Sequence, residues 1–197
     1  MIDFFYSLDL SVFYFINHTL STPFLDKFFT FITEVKHWYI AYIILWCITF
    51  FKGGRLGKVA AVTALILIAF SDQLNSSFIK NIFERVRPCN ALPDVNILAA
   101  CTGSYSFPSS HAVNNFAVAV FFYRLFSKYK WILLSVATIM ALSRPYVGVH
   151  YPSDILFGGL FGALIGYIFS IIALMIYSYW NKYRPTKSNL YERVEFK

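Results

Sequence analysis

From residue 155 to residue 180 the chain runs through 26 positions without an Asp, Glu, Lys, Arg or His. About 20 apolar residues in a helix cross the hydrocarbon core of a bilayer, and this run shows no strand-like alternation. Segments 59–79, 112–126 and 131–142 are nearly as apolar. Segment 38–51 is shorter, and is bounded by the aromatic pair Trp38 and Tyr39 and by the basic stop Lys52-Gly-Gly-Arg55. The whole chain is 58% hydrophobic and 14% charged, against about 25% charged in soluble domains. A soluble domain of 197 residues cannot hide that much apolar side chain, and disordered, collagenous and disulfide-knot classes fall with it.

The N-terminal stretch is more mixed. Residues 4–20 carry Asp9, Asn17 and His18 among aromatics, a pattern read as an amphipathic helix lying in the interface, with 23–35 as a short first span. The alternative is that 4–20 itself crosses. The expected fold is therefore an all-α integral membrane protein, a six-transmembrane-helix bundle with an N-terminal interfacial amphipathic helix. It forms one domain: interfacial helix 1–22, six-span core 23–180, cytoplasmic tail 181–197.

The net charge of +7 would suggest nucleic acid in a soluble protein, but in a membrane protein the placement of charge matters more than its sum. Eleven of the 17 cations form three clusters: Lys52, Arg55 and Lys58; Arg124, Lys128 and Lys130; and Lys182, Arg184, Lys187, Arg193 and Lys197. Each cluster is two helices from the next, so all three share one face, expected to be cytoplasmic. Segments 80–111 and 143–154 then face outward, and six spans put the N-terminus inside. No Lys or Arg precedes Lys27, so no cleavable leader is expected.

Lys80, Arg85, Arg87 and Arg144 break the positive-inside pattern. Each taken alone fits headgroup snorkelling, but they share a face with Pro108-Ser109-Ser110-His111 and with the stretch from Ser143 to Asp154. Fixed cations with planar donors suit a phosphoryl group. Ser109, Ser110 and His111 stand at a helix start, where free amides and the helix dipole favour an anion. Asp154, four residues after His150, can hold one imidazole nitrogen and leave the other as nucleophile. His111 has no such neighbour and is assigned the general acid.

Three motifs, eleven positions in all, carry a resemblance. Lys80, six residues, Arg87-Pro88; Pro108-Ser109-Ser110-His111; and Ser143-Arg144, five residues, His150, three residues, Asp154 resemble the type 2 phosphatidic acid phosphatases, the superfamily whose site is shared with vanadium haloperoxidases. The resemblance implies a metal-independent phosphatase without cofactor, in which His150 attacks phosphorus, Asp154 orients it and His111 protonates the leaving alcohol. Lys80, Arg87, Ser109, Ser110 and Arg144 bind the phosphate. Where the family usually has Gly, this chain has Ser110, which keeps the amide and adds a side chain. The implied partners are a phosphorylated membrane lipid and the bilayer, with no nucleic acid. The implied substrates are bacterial envelope lipids: undecaprenyl diphosphate, phosphatidylglycerophosphate or lipid A 1-phosphate, hydrolysed at the outer leaflet of the inner membrane. A transporter or flippase for a phosphorylated lipid is the alternative use of the same cations.

Other residues have plainer expectations. Asp72, Gln73 and Asn75 are read as structural, as are Glu84, His18 and His37. Cys47 is an apolar packer, whereas Cys89 and Cys101 share one outward loop and are candidates for a disulfide in an oxidising compartment. Gly158, Gly159, Gly162 and Gly166 mark close helix packing, within the bundle or between chains, and oligomeric state stays open.

Overall fold

The computed structural model describes residues 2–183. All the elements among them are helical: α1 (Ile2–Tyr14), α2 (Pro23–Thr33), α3 (Tyr39–Lys52), α4 (Gly54–Gln73), α5 (Lys80–Phe83), α6 (Pro88–Ala91), α7 (Ser110–Leu125), α8 (Lys130–Tyr146) and α9 (Pro152–Tyr183). π-helical turns extend α1 through Phe15–Thr19 and join α4 to α5 through Leu74–Ile79. The cytoplasmic tail expected at 181–197, with Arg184, Lys187, Arg193 and Lys197, lies almost wholly outside the described residues.

By length and hydropathy, Gly54–Ala91 and Pro152–Tyr183 can each cross a bilayer, and a third candidate is the pair Pro23–Thr33 and Val35–Lys52, bent by 70°. The core of the bundle is the α4, α7 and α9 layer, where Ala60, Ala64 and Leu67 meet Val113, Ala117, Phe121, Ile165 and Ala173. Small residues dominate because helices in lipid gain from backbone proximity rather than from the hydrophobic effect. All four α9 glycines face α7 within the chain. A Cβ on Gly158 would come within 3.0 Å of the Ser109 carbonyl, on Gly162 within 2.1 Å of the Val113 carbonyl, and on Gly166 within 2.2 Å of the Ala117 carbonyl; on Gly159 it would meet the Phe116 ring.

The expected first span at 23–35 is corrected. α2 is 11 residues long, about 16 Å against a hydrocarbon core of about 30 Å. Its two halves touch the same end of α8: the Tyr146 hydroxyl donates to Asp26 (2.6 Å) and the Ser143 hydroxyl to Thr33 (3.0 Å). A helix that meets one end of the bundle along its length does not run from that end to the other. α1 lies at this end too, since Asp9 accepts from Ser153 N at the start of α9 (2.8 Å). Five helices, α3, α4, α7, α8 and α9, run between the basic end and the opposite end. α1 thus packs at the end of the bundle opposite Lys52, Arg124 and Lys182.

The α7–α9 contact predicts an asymmetry among glycines. Gly162→Val should lower the melting temperature of the detergent-solubilised protein by several degrees, an overpacking cost of about 1–3 kcal/mol. Gly103→Ala, where a Cβ meets nothing within 4 Å, should leave it unchanged; equal effects would contradict the packing.

Candidate active site

The segment that carries His150 is the connection between α8 and α9. Gly148 takes a φ of 82°, a left-handed turn, where a Cβ would lie 2.8 Å from the Asn96 carbonyl. The turn carries His150 into the interior, 2% exposed, and Pro152 opens α9 at its first position. Asp154, in that first turn, is fully buried. Its Oδ2 accepts from the Tyr151 amide (2.9 Å) and stands 3.3 Å from His150 Nδ1. Arg87 Nη1 lies 3.1 Å from His150 Nε2. Arginine can only donate, so this network assigns the proton to Nδ1, facing Asp154, and the lone pair to Nε2.

The cations are held from behind. Arg87 spends Nε and Nη2 on the Ser104 carbonyl and hydroxyl (2.7 and 2.9 Å), and Nη1 also donates to the Val149 carbonyl (3.1 Å). Lys80, 4% exposed, donates to the Tyr105 carbonyl (2.8 Å). Arg144 Nη1 donates to the Thr33 hydroxyl (2.7 Å), and His111 Nε2 lies 3.1 Å from the Thr33 carbonyl. His111 and Arg144 thus meet on the residue where α2 breaks from α3. Arg87 meets His150 directly, and the Ser109 amide donates to the Asp154 carbonyl (3.1 Å), so the three motifs converge at one site.

Three buried side-chain atoms here are left over: Asn75 Oδ1, and at motif positions Ser109 Oγ and Arg144 Nε. Ser109 is the N-cap of α7, where serine ordinarily accepts a first-turn amide, but it makes no such bond. Its Oγ has no hydrogen-bond partner among the described residues, and neither has Arg144 Nε. A buried polar group without a partner costs about 1–3 kcal/mol, and the two at motif positions can both donate. Ser110 differs: its hydroxyl takes Asn75 Nδ2 (2.9 Å), which also holds the Pro108 carbonyl (3.2 Å). Asn75 thus braces the start of α7, while Asp72 accepts from Asn114 (2.9 Å) on the flank of the same helix.

Burial pushes the His150 imidazole well below its usual range, to about 3; the charges of Arg144 and Arg87 act in the same direction, and Asp154 opposes them. His150 is therefore a neutral base across physiological pH, the form a nucleophile requires.

Sequence reasoning missed several neighbours. Ser106 donates to Asp154 Oδ2 and lies 3.3 Å from His150 Nδ1. Ser104 and Thr33 anchor cations. Arg85, counted only among outward cations, reaches Asp154 Oδ1 (2.6 Å) and Asp9 Oδ2 (2.7 Å). Its outward face and its proximity to Arg87 were visible in the sequence; its pairing with Asp154 and Asp9 was not. Cys89 and Cys101 are joined by a disulfide with Cα atoms 6.3 Å apart, closing the loop 89–101, whose two ends lead to Arg87 and Ser104. His18 and His37 stay apart from the site, against Tyr14 and Phe31.

The sequence pattern of the PAP2 superfamily matches residues 57–185. The chain belongs to that superfamily. It is 30% identical over 182 residues to a lipid A 4'-phosphatase of Bacteroides thetaiotaomicron, covering 88% of this chain and 80% of that one. It is 33% identical to the lipid A 4'-phosphatase of Porphyromonas gingivalis over 80% of this chain and 70% of that one. Among solved structures, Aquifex aeolicus LpxE superposes with a TM-score of 0.64 at 31% identity, over 85% of this chain and 95% of that one. This PAP2 protein is a phosphoric ester hydrolase, a bacterial membrane lipid phosphatase.

The neutral imidazole has a stability consequence. The unfolded chain binds a proton at His150 near pH 6.5, the folded one only near 3, so folding stability falls as pH drops through that window. The melting temperature should decline between pH 6.5 and 4, less steeply in His150→Gln. Equal slopes would contradict a buried neutral His150.

Proposed function

We propose that the protein removes a phosphate monoester from the sugar headgroup of a lipid A-type glycolipid through a phosphohistidine. The observation that carries the chemistry is the pairing of a neutral, inward-facing His150 Nε2 with unpartnered donors at Ser109 Oγ and Arg144 Nε. Lys80, Arg87, Arg144, Ser109 and the first-turn amides of α7 take the phosphoryl oxygens. Nε2 attacks phosphorus in line, the P–N bond forms and the P–O bond to the sugar breaks. The bound phosphate's negative charge offsets the three cations around His111, which then holds a second proton and delivers it to the departing oxygen. Nδ1–H, held by Asp154, lets positive charge develop on the imidazole. Water then attacks the phosphohistidine with His111 as base, and inorganic phosphate leaves. The three side-chain cations supply the charge stabilisation, so no metal enters any step.

Support for the sugar phosphate comes from the two curated relatives named lipid A 4'-phosphatase. The alternatives are lipid A 1-phosphate, undecaprenyl diphosphate and phosphatidylglycerophosphate. The arrangement in the membrane follows from charge: α3, α4, α7, α8 and α9 make five crossings of the bacterial inner membrane, the basic end and C-terminus are cytoplasmic, and the site, α1 and α2 lie at the periplasmic surface.

Purified protein assayed for phosphate release over those four lipids should favour the 4'-phosphate. His150→Ala should lose at least about 1,000-fold in kcat, and EDTA should change nothing. Turnover retained in that variant overturns the mechanism, and preference for another lipid overturns the substrate. For topology, Asp3→Cys should react with a membrane-impermeant maleimide in cells with a permeabilised outer membrane, whereas Lys128→Cys should react only after lysis. The reverse pattern overturns the sidedness.

A further inference from the structure

α1 grips the nucleophile segment at three points. Asp9, Phe13 and Asn17, at i, i+4 and i+8, are its buried residues, while Phe4, Leu8, Val12 and Phe15 are exposed on the other side. Asn17 donates to the Tyr146 carbonyl (2.8 Å) just before the His150 turn and accepts from the Asn96 amide (2.9 Å). The Phe13 ring packs on Tyr151, 5.8 Å between centroids. Asp9 holds the far end, accepting from Ser153 N and pairing with Arg85.

The Asp9 contact reaches the reacting atoms through one intermediary. Asp154 divides its oxygens: Oδ2 serves His150, Ser106 and the Tyr151 amide, and Oδ1 belongs to Arg85. Arg85 also donates to the Ser153 hydroxyl (2.7 Å), and its guanidinium lies over the Tyr151 ring at 3.8 Å from the centroid. The array Asp9–Arg85–Asp154 thus has two carboxylates on one guanidinium. The side chains of Asp9, Arg85 and Asp154 are 8%, 23% and 0% exposed, so screening is weak. The net charge of the array is −1, and it faces an imidazole that becomes positive as the P–N bond forms. With the Asp9 charge removed, the array is neutral. Arg85 then draws fully on Asp154, and less negative charge is left for the imidazole.

We propose that Asp9 and Arg85 are positioning residues for the phosphoryl-transfer nucleophile: Asp9 offsets the Arg85 charge and Arg85 orients Asp154, which together fix the tautomer and direction of His150. The N-terminal helix is then part of the catalytic apparatus, although none of its atoms meets the phosphate. The inference rests on the phosphohistidine reading above.

Neither residue belongs to the phosphate-binding cations, so the signature is a loss in kcat without a loss in KM. Vanadate, a five-coordinate mimic of the transferring phosphoryl group, needs the aligned Nε2, and its inhibition should weaken in parallel. Asp9→Asn should lower kcat about tenfold or more, leave KM within about twofold, and raise the inhibitory vanadate concentration by a similar factor to the kcat loss. Asp9→Glu, which keeps the charge, should recover most of the activity. Asp3→Asn, which removes a charge from an exposed position of the same helix, should behave as wild type. If Asp9→Asn does not fold, Arg85→Lys is read in its place, since lysine keeps the charge but cannot bridge two carboxylates with a planar fork. Asp9→Asn with kcat within about twofold of wild type overturns the proposal, and so does a kcat loss with unchanged vanadate inhibition, which would mark α1 as a scaffold only. Absence of turnover in the wild type would overturn the phosphohistidine reading and this inference together, whereas wild-type turnover with an indifferent Asp9→Asn overturns this inference alone.

Discussion

The close approach of α7 and α9 is the contact on which the site depends. Both helices start at the same end of the bundle, and three α9 glycines let their backbones meet with no room for a Cβ. At the top of this seam the Ser109 amide donates to the Asp154 carbonyl (3.1 Å), joining the cap of one helix to the first turn of the other. Two helix N-termini, both positive ends of their dipoles, are thereby held side by side. His111 belongs to the first, Asp154 to the second, and His150 immediately precedes the second. A shift of one residue along the seam would separate the second motif from the third.

Around that seam the protein holds more buried charge than a membrane domain ordinarily tolerates, and the charges are organised in two layers. Lys80, Arg87 and Arg144 are tied by backbone carbonyls and hydroxyls at Tyr105, Ser104, Val149 and Thr33. Neutral partners fix direction without cancelling charge, so the cations stay available to an anion. Asp154 and Asp9, by contrast, share Arg85. The positive layer suits the phosphate, and the negative one suits the imidazole behind it.

Much of this was legible in the sequence because it is written in spacing. His150 and Asp154 are four apart, and Ser109, Ser110 and His111 precede an apolar helix; those positions constrain local geometry before any tertiary contact forms. Their convergence with Lys80, Arg87 and Arg144 followed from counting helices between basic clusters. Ser106 and Thr33 were not legible, since a serine and a threonine in loops and helix ends carry no pattern of their own, and Arg85 was legible only as one of the outward cations, not as the partner of Asp154. Asp9 was read only as evidence that a helix is polar on one side. The six-span count failed at 23–35 because composition there resembles a short span, whereas the contacts of Asp26 and Thr33 lay α2 across one end of α8.

By itself, the sequence determined the solvent, the helical class, the basic end and the motif residues, because hydropathy, charge placement and short spacings are properties of local chain. Only the tertiary structure decided that α1 and α2 stay at the site's end, that the α9 glycines pack within the chain, and that Asp9 reaches Asp154 through Arg85. Those outcomes depend on contacts between residues up to 144 positions apart, such as Asp9 and Ser153. No local period encodes them: they arise when helix packing brings distant polar groups into low dielectric, where each must find a partner.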